Sequence, residues 1–477
     1  MTRHHLYIGG EWVAAANHRD NINPSDTSDN VGQYDEADAS HVAAAVEAAA
    51  AAAAAWRRST PQQRFDALDF IGTEILGRAA EIGALLAREE GKVLPEATGE
   101  VTRAGYIFKY FAGEALRIGG QALPSVRPGL DVMTSREALG VVGLITPWNF
   151  PIAIPAWKIA PALACGNAVV IKPSELTPAC AWVLAEIISR SPLPKGVFNL
   201  IMGGGAAGAA LIEHPQVAAI SFTGSVQTGA HIARTCAGSL KKLQLEMGGK
   251  NPLVVLDDAD LAIAVECAVN GAFFSTGQRC TASSRLIVTE GIYDRFAAAL
   301  VERTRGLRVG HALDPQTQIG PVVDERQLQK DMDYIRIGRE EGGKLLCGGE
   351  RVKLEHDGYY LAPALIASDS ADARLNREEV FGPVASIIRV RNFEQALAMA
   401  NDTQFGLSAG ICTTSLKHST QFRCEAQAGM VMVNAPTAGV DYHVPFGGIK
   451  GSSFGPREQG PAAMEFYTRV KTHYIAA

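Results

Sequence analysis

The sequence predicts an α/β protein whose main sheet is parallel and covered by helices on both faces. From Gly140 onwards, short apolar runs typical of strands alternate with longer runs typical of helices. The strand runs are apolar at almost every position, as in strands that are buried on both faces. The chain has 477 residues, 47% of them hydrophobic and 20% charged, which is enough for two or three domains with ample cores. Sheets of this kind bind ligands at the carboxyl ends of their strands.

Several helices are predicted before this alternation begins. An alanine-rich run predicts a helix over about 40–57, because alanine is the strongest helix former. Its central run, 42–56, is shorter and less apolar than a membrane span requires. Pro61 opens a second predicted helix, a third ends near Gly91, and residues 101–116 have the pattern of an amphipathic helix. The first three of these helices carry no candidate catalytic or binding residue.

The strands and helices that follow are predicted from the apolar runs and from the turn residues between them. A second sheet should begin after Gly249, where a glycine pair interrupts the pattern. The predicted strands are 141–146, 168–172, 197–202, 217–223, 242–245, 252–256 and 284–288. The predicted helices between the first five strands are 156–164, 177–189, a short helix that ends at His214, and 225–236.

The charge balance and the cysteines exclude several classes of protein. A formal net charge of −6 and the lack of a basic run argue against a nucleic-acid partner. The first residues contain no apolar signal segment, and no metal-ligating cluster is visible in the sequence. The eight cysteines form no CxxC pair, which fits a reducing cytoplasm better than a disulfide-stabilised secreted fold. They are Cys165, Cys180, Cys236, Cys267, Cys280, Cys347, Cys412 and Cys424.

Residues 273–285 (FFSTGQRCTASSR) contain the candidate nucleophile, Cys280. A glycine lies three residues before it, and the neighbouring Arg279 is a cation that would lower the pKa of the thiol and favour the reactive thiolate. A structural cysteine fits this stretch equally well, since free cysteines are commonly small core residues.

Two further stretches supply polar groups that would complement such a nucleophile. Glu246, between a strand-like run and a Gly-Gly turn, is a candidate general base if its surroundings raise its pKa. Asn149, between aromatic and proline residues at 146–151 (TPWNFP), is a candidate hydrogen-bond donor to a developing oxyanion. The alternatives for these two residues are a solvated glutamate at a strand end and a turn asparagine.

Together, these three stretches resemble the aldehyde dehydrogenase superfamily, in which the glutamate and cysteine motifs are also 34 residues apart. The resemblance rests on six motifs in the family's order and extends from residues 8–13 to 470–472. Met247 departs from the leucine that is usual there, a substitution that conserves volume. The resemblance implies the aldehyde dehydrogenase fold, with a Rossmann-like parallel-sheet cofactor domain, an α/β catalytic domain and a small β oligomerisation element. The implied boundaries are, in the same order, 1–117 with 139–249, then 250–446, and 118–138 with 460–477.

A nicotinamide cofactor, NAD or NADP, is expected at the ends of two strands. Lys172, Ser174 and Glu175 follow one strand, where a carboxylate favours the ribose hydroxyls of NAD while the cation and the hydroxyl leave NADP possible. A salt-bridged loop is the alternative. Gly224 and Ser225 join another strand to a helix whose N-terminus suits a diphosphate. By resemblance, the cofactor site also includes Thr146, Pro147, Trp148, Met247, Gly248, Glu379 and Phe381.

The resemblance also implies a mechanism, the oxidation of an aldehyde to a carboxylic acid through a cysteine thioester. Cys280 attacks the aldehyde, Asn149 and the Cys280 N–H hold the oxyanion, hydride passes to the nicotinamide, and Glu246 activates the water that releases the acid. Lys158 and Glu458 match family positions implicated in proton handling, although solvated charges would look the same. A cytoplasmic homodimer or homotetramer is expected.

The expected substrate is a semialdehyde with a distal carboxylate. Residues 277–285 and 437–443 (TAGVDYH) are similar to those of the α-ketoglutarate semialdehyde (2,5-dioxopentanoate) dehydrogenases of bacterial sugar-acid degradation. Succinate semialdehyde, glutarate semialdehyde and other aldehydes are alternatives. A carboxylate in the substrate tunnel needs a cation, and the candidates are Arg279, Arg285, Arg103 and Lys109. Substrate contacts are expected from Phe150, Trp157, Arg279, Thr281, Thr437, Tyr442 and His443.

Two other classes of function fit part of the pattern. A cysteine hydrolase or acyltransferase would use Cys280 without a nicotinamide, but the cofactor motifs and the lack of a histidine near this cysteine in the sequence argue against it. A non-catalytic binding protein on the same fold would be expected to have lost Cys280 or Glu246.

Overall fold

The computed structural model describes residues 2–476, which form two large sheets and two three-stranded sheets surrounded by helices. Met1 and Ala477, which the predicted domain boundaries include, lie outside the described residues. The strands are β1 (Arg3–His4), β2 (Leu6–Ile8), β3 (Glu11–Val13), β4 (Asn17–Ile22), β5 (Asn30–Glu36), β6 (Ala122–Leu123), β7 (Leu130–Ala138), β8 (Val141–Ile145), β9 (Ala168–Lys172), β10 (Phe198–Leu200), β11 (Val217–Thr223), β12 (Lys242–Glu246), β13 (Asn251–Val255), β14 (Ser283–Thr289), β15 (Lys344–Cys347), β16 (Ala364–Ala367), β17 (Val384–Val390), β18 (Ser408–Cys412), β19 (Met430–Val433), β20 (Ser453–Phe454) and β21 (Thr468–Ala476). The α-helices are α1 (Ala39–Arg57), α2 (Pro61–Gly77), α3 (Ala79–Glu90), α4 (Leu94–Ala115), α5 (Ala153–Ala164), α6 (Pro178–Ser189), α7 (Gly205–Glu213), α8 (Val226–Ala237), α9 (Leu261–Phe273), α10 (Glu290–Arg305), α11 (Glu325–Glu340), α12 (Arg374–Arg377), α13 (Phe393–Asn401), α14 (Leu416–Glu425) and α15 (Ala463–Tyr467).

The first large sheet forms the predicted parallel core. Its eight strands lie in the order β20-β12-β11-β8-β9-β10-β2-β3. The five strands from β12 to β10 pair in parallel, and β20, β2 and β3 add antiparallel edges. Every residue of β8 and β9 is buried, as expected where helices cover both faces of a sheet. This arrangement confirms the predicted α/β fold class.

The second large sheet has seven strands in the order β15-β16-β17-β14-β13-β18-β19. All its strands pair in parallel except β15. Only four residues separate the end of β12 at Glu246 from the start of β13 at Asn251, so the chain passes directly from one large sheet to the other. The candidate base Glu246 therefore lies at the junction of the two sheets.

The terminal strand β21 pairs with β7 in a separate three-stranded sheet that also contains β6. The antiparallel pairing runs from Thr468 opposite Ala138 to Ala476 opposite Leu130. The oligomerisation element implied by the family resemblance combines residues 118–138 with 460–477, and β7 and β21 lie within these two ranges. The domain boundaries themselves stay a prediction.

Helix α1 has bounds close to the predicted 40–57. By length and composition, the whole helix is apolar enough to cross a membrane, which the shorter run 42–56 did not indicate. Its buried residues include Val42, Val46 and Trp56, and the helix packs against β9 and α7. It covers one face of the first sheet, as the core helix of a folded domain does.

Helix α4 begins at Leu94, seven residues before the predicted start at 101. Gly99 lies in the missed turns and lowers their helix propensity. The structure shows why Gly105 is small: a Cβ atom there would lie 2.6 Å from Cγ of Leu76 on α2. The close packing of α2 on α4 fixes α4 beside the loop that carries Cys280. Two smaller corrections concern α5, which begins at 153 and not 156, and β10, which covers only part of 197–202.

Candidate active site

Cys280 follows a tight turn at the end of α9. Ser275, Thr276 and Gly277 have positive φ angles of 50°, 56° and 65°. A non-glycine residue in this left-handed region costs roughly 1–3 kcal/mol, so contacts elsewhere must hold the turn. Position 277 accepts only glycine, because a Cβ atom there would lie 2.2 Å from the carbonyl oxygen of Gly382.

Glu96 of α4 holds this turn. Its Oε2 accepts hydrogen bonds from the backbone N–H and the hydroxyl of Ser275, both at 3.1 Å. Its Oε1 accepts one from the Arg279 guanidinium at 2.7 Å, and Arg279 also donates to Asn270. Arg279 is thus paired with Glu96, and it is not among the groups that shift the pKa of Cys280. The prediction that Arg279 lowers the thiol pKa was wrong.

Burial, and then the negative charges of Glu246 and Glu379, raise the pKa of Cys280 to about 12. The backbone N–H groups of Cys280 and Thr281 face the sulfur and oppose this shift. The Cys280 carbonyl oxygen accepts a hydrogen bond from Asn251 Nδ2 at 2.8 Å, which fixes the segment between the turn and β14. The thiol is protonated at neutral pH and needs a proton acceptor to become the nucleophilic thiolate.

Asn149 lies in the loop between β8 and α5, and it is almost fully buried. Its Nδ2 donates a hydrogen bond to the carbonyl oxygen of Gln278 at 2.9 Å, two residues before Cys280. A side-chain amide has two N–H donors, so one remains for an oxygen bound beside the sulfur. Together with the Cys280 N–H, this donor could stabilise an oxyanion.

Glu246 is buried at the end of β12 and lines neither of the cavities described below. Its Oε2 accepts a hydrogen bond from the Ser453 hydroxyl at 2.5 Å, and Ser453 Oγ in turn accepts one from the Gly448 N–H at 2.6 Å. Burial raises the pKa of Glu246 well above its ordinary value, the Ser453 hydrogen bond partly opposes this, and the Glu458 charge adds to it. A carboxylate with a raised pKa is a stronger base than an exposed one.

Lys158 and Glu458 form a fully buried ion pair. Lys158 Nζ also donates to the Ser221 hydroxyl at 2.7 Å, and that hydroxyl donates to Gln244 at 2.9 Å. Burial raises the pKa of Glu458, and the Lys158 charge opposes the shift. The pair lines neither cavity, but the charges of both residues act on the pKa of Glu246. The structure therefore excludes the solvated charges that were the alternative for this pair.

Two cavities meet at Cys280. The first, the substrate cavity, has a volume of about 370 Å³ and lies between α4, α5, the Cys280 turn and the loop before Phe446. Of the residues with predicted substrate contacts, Phe150, Trp157, Arg279 and Thr281 line it. Its other lining residues are Lys92, Glu96, Gly99, Glu100, Arg103, Ala153, Ile154, Asn270, Ser275, Cys280, Ala438, Gly439, Val440 and Phe446.

Thr437, Tyr442 and His443 do not line the substrate cavity. Thr437 is fully buried, and its hydroxyl donates to the Thr281 carbonyl oxygen at 2.7 Å, so it supports the backbone after Cys280. Tyr442 stacks on Tyr106 of α4, with 5.7 Å between ring centroids, and His443 is exposed. The expected direct contact of Thr437 with substrate is therefore corrected to a contact with the Cys280 segment.

Arg103 is the unpaired cation of the substrate cavity. Its guanidinium donates one hydrogen bond, from Nη2 to Gln459 Oε1 at 3.0 Å, while the buried Nε has no partner among the described residues. No carboxylate of residues 2–476 forms an ion pair with it. Burial lowers its pKa, and the charges of Glu100 and Asp441 partly restore it. The guanidinium carbon lies 5.8 Å from the ring centre of Trp157, also in the cavity.

The other candidate cations are committed elsewhere. Arg285 donates to the carbonyl oxygens of Lys250, Met399 and Ala400, at 3.0–3.1 Å. Lys109 pairs with Asp69 at 2.6 Å on the far side of α4. Neither lines the substrate cavity. Among the predicted cations, Arg103 is therefore the one whose charge faces the cavity without a carboxylate partner in the described part of the chain.

The second cavity, the cofactor cavity, has a volume of about 170 Å³ and opens on the other side of Cys280. Eight of the predicted cofactor residues line it: Pro147, Trp148, Gly224, Ser225, Met247, Gly248, Glu379 and Phe381. Its other lining residues are Asn149, Ile154, Thr223, Cys280, Gln327 and Lys330.

This cavity has free polar groups that fit a nicotinamide cofactor. The hydroxyl of Thr223 is buried without a partner among the described residues. Glu379 uses Oε1 to accept the Gly249 N–H at 2.9 Å, which leaves Oε2 for a hydroxyl group such as that of a ribose. Ser225 caps the N-terminus of α8 by accepting the Thr228 N–H at 3.2 Å. The dipole of this helix favours an anion such as a diphosphate.

Four predicted cofactor residues, including Thr146, lie outside the cofactor cavity. Lys172 Nζ donates to the carbonyl oxygens of Pro173 and Gly203, at 2.7 and 2.9 Å. Glu175 is half-exposed, with its carboxylate 3.8 Å from Lys172 Nζ. Ser174 Oγ accepts the Leu176 N–H at 3.2 Å. These three residues follow β9, which pairs with β8, the strand that leads to Asn149.

Several residues that the sequence pattern did not single out belong to the site. Gln327 and Lys330 of α11 line the cofactor cavity, Lys92 and Glu100 line the substrate cavity, and Ser453 holds Glu246. Gln327 and Lys330 share one face of α11, and a polar pair at this spacing is an ordinary surface pattern. Lys92 and Glu100 stand eight residues apart around the first turns of α4, and only their complete burial makes them unusual.

Comparison with known proteins gives a consistent result. The sequence model described as "Aldehyde dehydrogenase family" matches residues 12–473. The chain is 45% identical to the alpha-ketoglutaric semialdehyde dehydrogenase of Bacillus subtilis (strain 168), over 98% of this chain and 97% of the relative. It is 42% identical to the alpha-ketoglutarate semialdehyde dehydrogenase of Haloferax volcanii, over 98% of each chain.

Solved structures agree with the sequence comparison. The fold is similar to that of the betaine aldehyde dehydrogenase of Staphylococcus aureus, crystallised in complex with NAD+, with a TM-score of 0.97 and 33% sequence identity. The match covers 99% of this chain and 95% of that one.

Proposed function

We propose a substrate for this chain, which belongs to the aldehyde dehydrogenase family and is an NAD(P)-dependent enzyme that oxidises aldehydes to carboxylic acids. The proposed substrate is α-ketoglutarate semialdehyde, which carries a carboxylate at the end remote from the aldehyde. The observation that supports it most directly is Arg103, a partly buried cation that faces the substrate cavity without a carboxylate partner among the described residues.

The proposed chemistry starts at Cys280. Its sulfur forms a bond to the aldehyde carbon and gives its proton to Glu246, whose pKa is raised by burial. The aldehyde oxygen becomes an oxyanion held by Asn149 Nδ2 and the Cys280 N–H. A nicotinamide cofactor held by Glu379, Phe381 and the N-terminus of α8 would supply the hydride acceptor that oxidises this adduct to a thioester. Glu246 passes the thiol proton to solvent, then takes a proton from the water that attacks the thioester and returns it to the departing Cys280 thiolate, which releases the acid.

Arg103 gives this chemistry its proposed selectivity. A buried charge without a partner costs several kcal/mol, and a substrate carboxylate would remove that cost. A charge-assisted hydrogen bond contributes about 1.5–3 kcal/mol, or roughly 10–150-fold in kcat/KM. The names of the relatives from Bacillus subtilis and Haloferax volcanii support the same substrate. Betaine aldehyde is disfavoured, because its cation would meet the Arg103 charge in the cavity.

The test compares substrates of equal chain length on the wild-type enzyme and on Arg103→Met. We expect the wild type to prefer α-ketoglutarate semialdehyde over pentanal by at least about tenfold in kcat/KM, and we expect Arg103→Met to lose this preference. Lys109→Met is the matched control, because it removes a lysine from the same helix that is already paired with Asp69. Equal kcat/KM values for the two aldehydes in the wild type would refute the substrate while leaving the family assignment intact. A preference that survives in Arg103→Met would refute the role of Arg103.

The enzyme is proposed to act in the cytoplasm as a homodimer or homotetramer. All eight cysteines are free, which suits a reducing compartment. The sheet of β6, β7 and β21 exposes large apolar side chains, including Met133, Val470, Tyr474 and Ile475. Exposed apolar groups gathered on one small sheet support burial against a second copy of the chain.

A further inference from the structure

A buried cluster of charges lies behind the loop that carries Asn149. Lys92, between α3 and α4, is 2% exposed, and its Nζ donates to Glu100 Oε2 at 2.7 Å. The same Nζ donates to the backbone carbonyl oxygen of Asn149 at 2.6 Å and lies 3.9 Å from the ring centre of Phe150. One ammonium group therefore touches both the candidate oxyanion residue and its neighbour.

Glu100 holds the same loop from its other end. Its Oε1 accepts hydrogen bonds from the backbone N–H groups of Ile152 and Ala153, at 3.2 and 3.1 Å. Ala153 is the first residue of α5, so the carboxylate occupies the positive end of that helix dipole. The five residues from Asn149 to Ala153 are thus tied at both ends to one buried ion pair.

Burial and neighbouring charges shift the pKa values of Lys92 and Glu90. Burial alone would lower the pKa of Lys92, but the carboxylates of Glu100 and Glu90 outweigh burial and raise it above its ordinary value. Burial raises the pKa of Glu90 to about 8, so this neighbour of Lys92 is mostly protonated at pH 7. Lys92 and Glu100 both have further hydrogen-bond partners in the segment from Asn149 to Ala153.

The stability of the fold does not by itself explain a buried ion pair at this position. Burying a lysine and a glutamate in a protein interior is expensive, and an apolar pair of similar volume is often as stable. The pair does what an apolar pair cannot, because it fixes the backbone on both sides of Asn149. The position of the Asn149 amide relative to the Cys280 sulfur then depends on these hydrogen bonds, and a misplacement of about 1 Å can cost about 100-fold in rate.

We propose that Lys92 and Glu100 are positioning residues for the oxyanion site, which act on the reaction by holding the Asn149 amide in register with Cys280. This inference rests on the proposed function, since it requires Asn149 to stabilise the oxyanion. Lys92 and Glu100 move no proton and make no bond to the substrate in this role. Their effect passes through the Asn149 backbone.

A direct role for Lys92 would look different in kinetics. Lys92 lines the substrate cavity, so its ammonium could instead contact the carboxylate of the substrate. In that case its removal would raise KM for α-ketoglutarate semialdehyde and leave the oxidation of pentanal unchanged. A positioning role predicts that the chemical step slows for both aldehydes, with little change in their relative rates.

The test is a double-mutant cycle of Lys92→Met and Asn149→Ala in the full-length enzyme with NAD+. The first readout is the single-turnover rate of cofactor reduction with pentanal. The second is the rate of Cys280 alkylation by iodoacetamide, a displacement that forms no oxyanion. Glu100→Gln is a second variant, which keeps an acceptor for the Ile152 and Ala153 N–H groups but removes the charge partner of Lys92. Lys109→Met is the control, because Lys109 lies on α4 with Glu100.

We expect Lys92→Met to slow single turnover by about 10- to 100-fold and to change alkylation by less than about threefold. Asn149→Ala should slow single turnover by about 100- to 1000-fold. The double variant should match Asn149→Ala within about twofold, because a positioning residue has nothing left to position. Glu100→Gln should show a smaller loss in the same direction, and Lys109→Met none.

Three results would overturn the inference in distinguishable ways. If Asn149→Ala slows single turnover by less than about tenfold, the oxyanion role in the proposed function is wrong and the inference falls with it. If Asn149→Ala has its expected effect but the Lys92→Met loss multiplies with it, only the inference is wrong. If Lys92→Met slows alkylation as much as it slows single turnover, Lys92 only supports the fold and the inference is also wrong. If Lys92→Met does not fold, Glu100→Gln decides by the same cycle.

Discussion

The substrate cavity and the cofactor cavity share Cys280 and Ile154 but are built from different parts of the chain. Strand ends and the loops that follow them supply most of the cofactor cavity, with few charged side chains. Helix α4 and the segment before it supply one wall of the substrate cavity, with four charged residues at 92–103. The cofactor cavity is therefore lined by backbone and small polar groups. The substrate cavity is lined by several charged side chains, and the ion pairs among them determine which charge is left to bind a substrate.

The residues of one cavity are thus constrained by the cofactor, and those of the other by the substrate. A dinucleotide requires the same diphosphate and ribose contacts whichever aldehyde is oxidised. The Arg103 charge can change without disturbing the sheet, because it projects from α4, which packs on α2, α3 and α5. Changes in one cavity should therefore leave the binding properties of the other intact.

The largest effect is expected at the residue shared by both cavities. Cys280→Ala should reduce aldehyde oxidation by about 10⁴-fold or more, because the covalent step is lost. Binding of NAD+ should persist, since the other residues of the cofactor cavity are unchanged. Absorbance at 340 nm measures oxidation, and calorimetry measures binding. Cys424→Ala, at an exposed cysteine, is the matched control. Loss of NAD+ binding together with activity would show that the two cavities are not independent.

The second-largest effect is expected at Glu246, which lines neither cavity. Glu246→Gln should slow hydrolysis of the acyl-enzyme by about 10²–10³-fold while the first turnover is slowed less. Rapid mixing with substrate should then show a burst of reduced cofactor and a slow steady state.

The pH dependence of Glu246 gives a second readout. Its pKa is raised by burial, and the base works only when ionised, so the wild-type steady-state kcat should rise as pH increases through this raised pKa. Glu246→Gln should lack this rise. An equal slowing of burst and steady state would mean that Glu246 acts mainly as proton acceptor for the thiol.

The contrast between the cavities also explains what the sequence could predict. The cofactor residues stand in short motifs such as 146–151 and 222–225, where a strand ends and a turn begins, and strand ends are recognisable from apolar runs. The alternation of strands and helices likewise predicted the parallel sheet. Cys280 and Glu246 could be assigned because both occur in motifs that resemble a known family.

The charged wall of the substrate cavity was predicted only in part, since Arg103 was one of four candidate cations and Lys92, Glu96 and Glu100 were not singled out. Glu96, Glu100 and Arg103 are spaced as neighbours on one helix face, but a charged helix face is ordinary when it points to solvent. Only the packing of α4 against α2 and α5 reveals that this face is buried. The ion pairs then show which cation is available to a substrate. Arg279 looked like a free cation in the sequence, but it is paired with Glu96, whereas Arg103 has no carboxylate partner among the described residues.

The smallest effect is expected at Glu175, at the margin of the cofactor side. Its carboxylate is half-exposed and lies 3.8 Å from the Lys172 ammonium, whose pKa is lowered by burial. If the adenosine ribose lies at this strand end, Glu175 would accept its hydroxyls and repel the extra phosphate of NADP.

Glu175→Ser should therefore raise kcat/KM with NADP relative to NAD by about five- to tenfold, since a partly exposed charge contributes roughly 1 kcal/mol. The ratio of the two values is the proper measure, because any loss of folded enzyme cancels in it. Glu213→Ser, which removes another exposed carboxylate from the same sheet domain, is the control and should leave the ratio unchanged. The preference among aldehydes should stay constant in both variants if the two cavities are independent. An unchanged cofactor ratio in Glu175→Ser would mean that this carboxylate serves only the ion pair with Lys172, and that the cofactor preference is set elsewhere along the sheet edge.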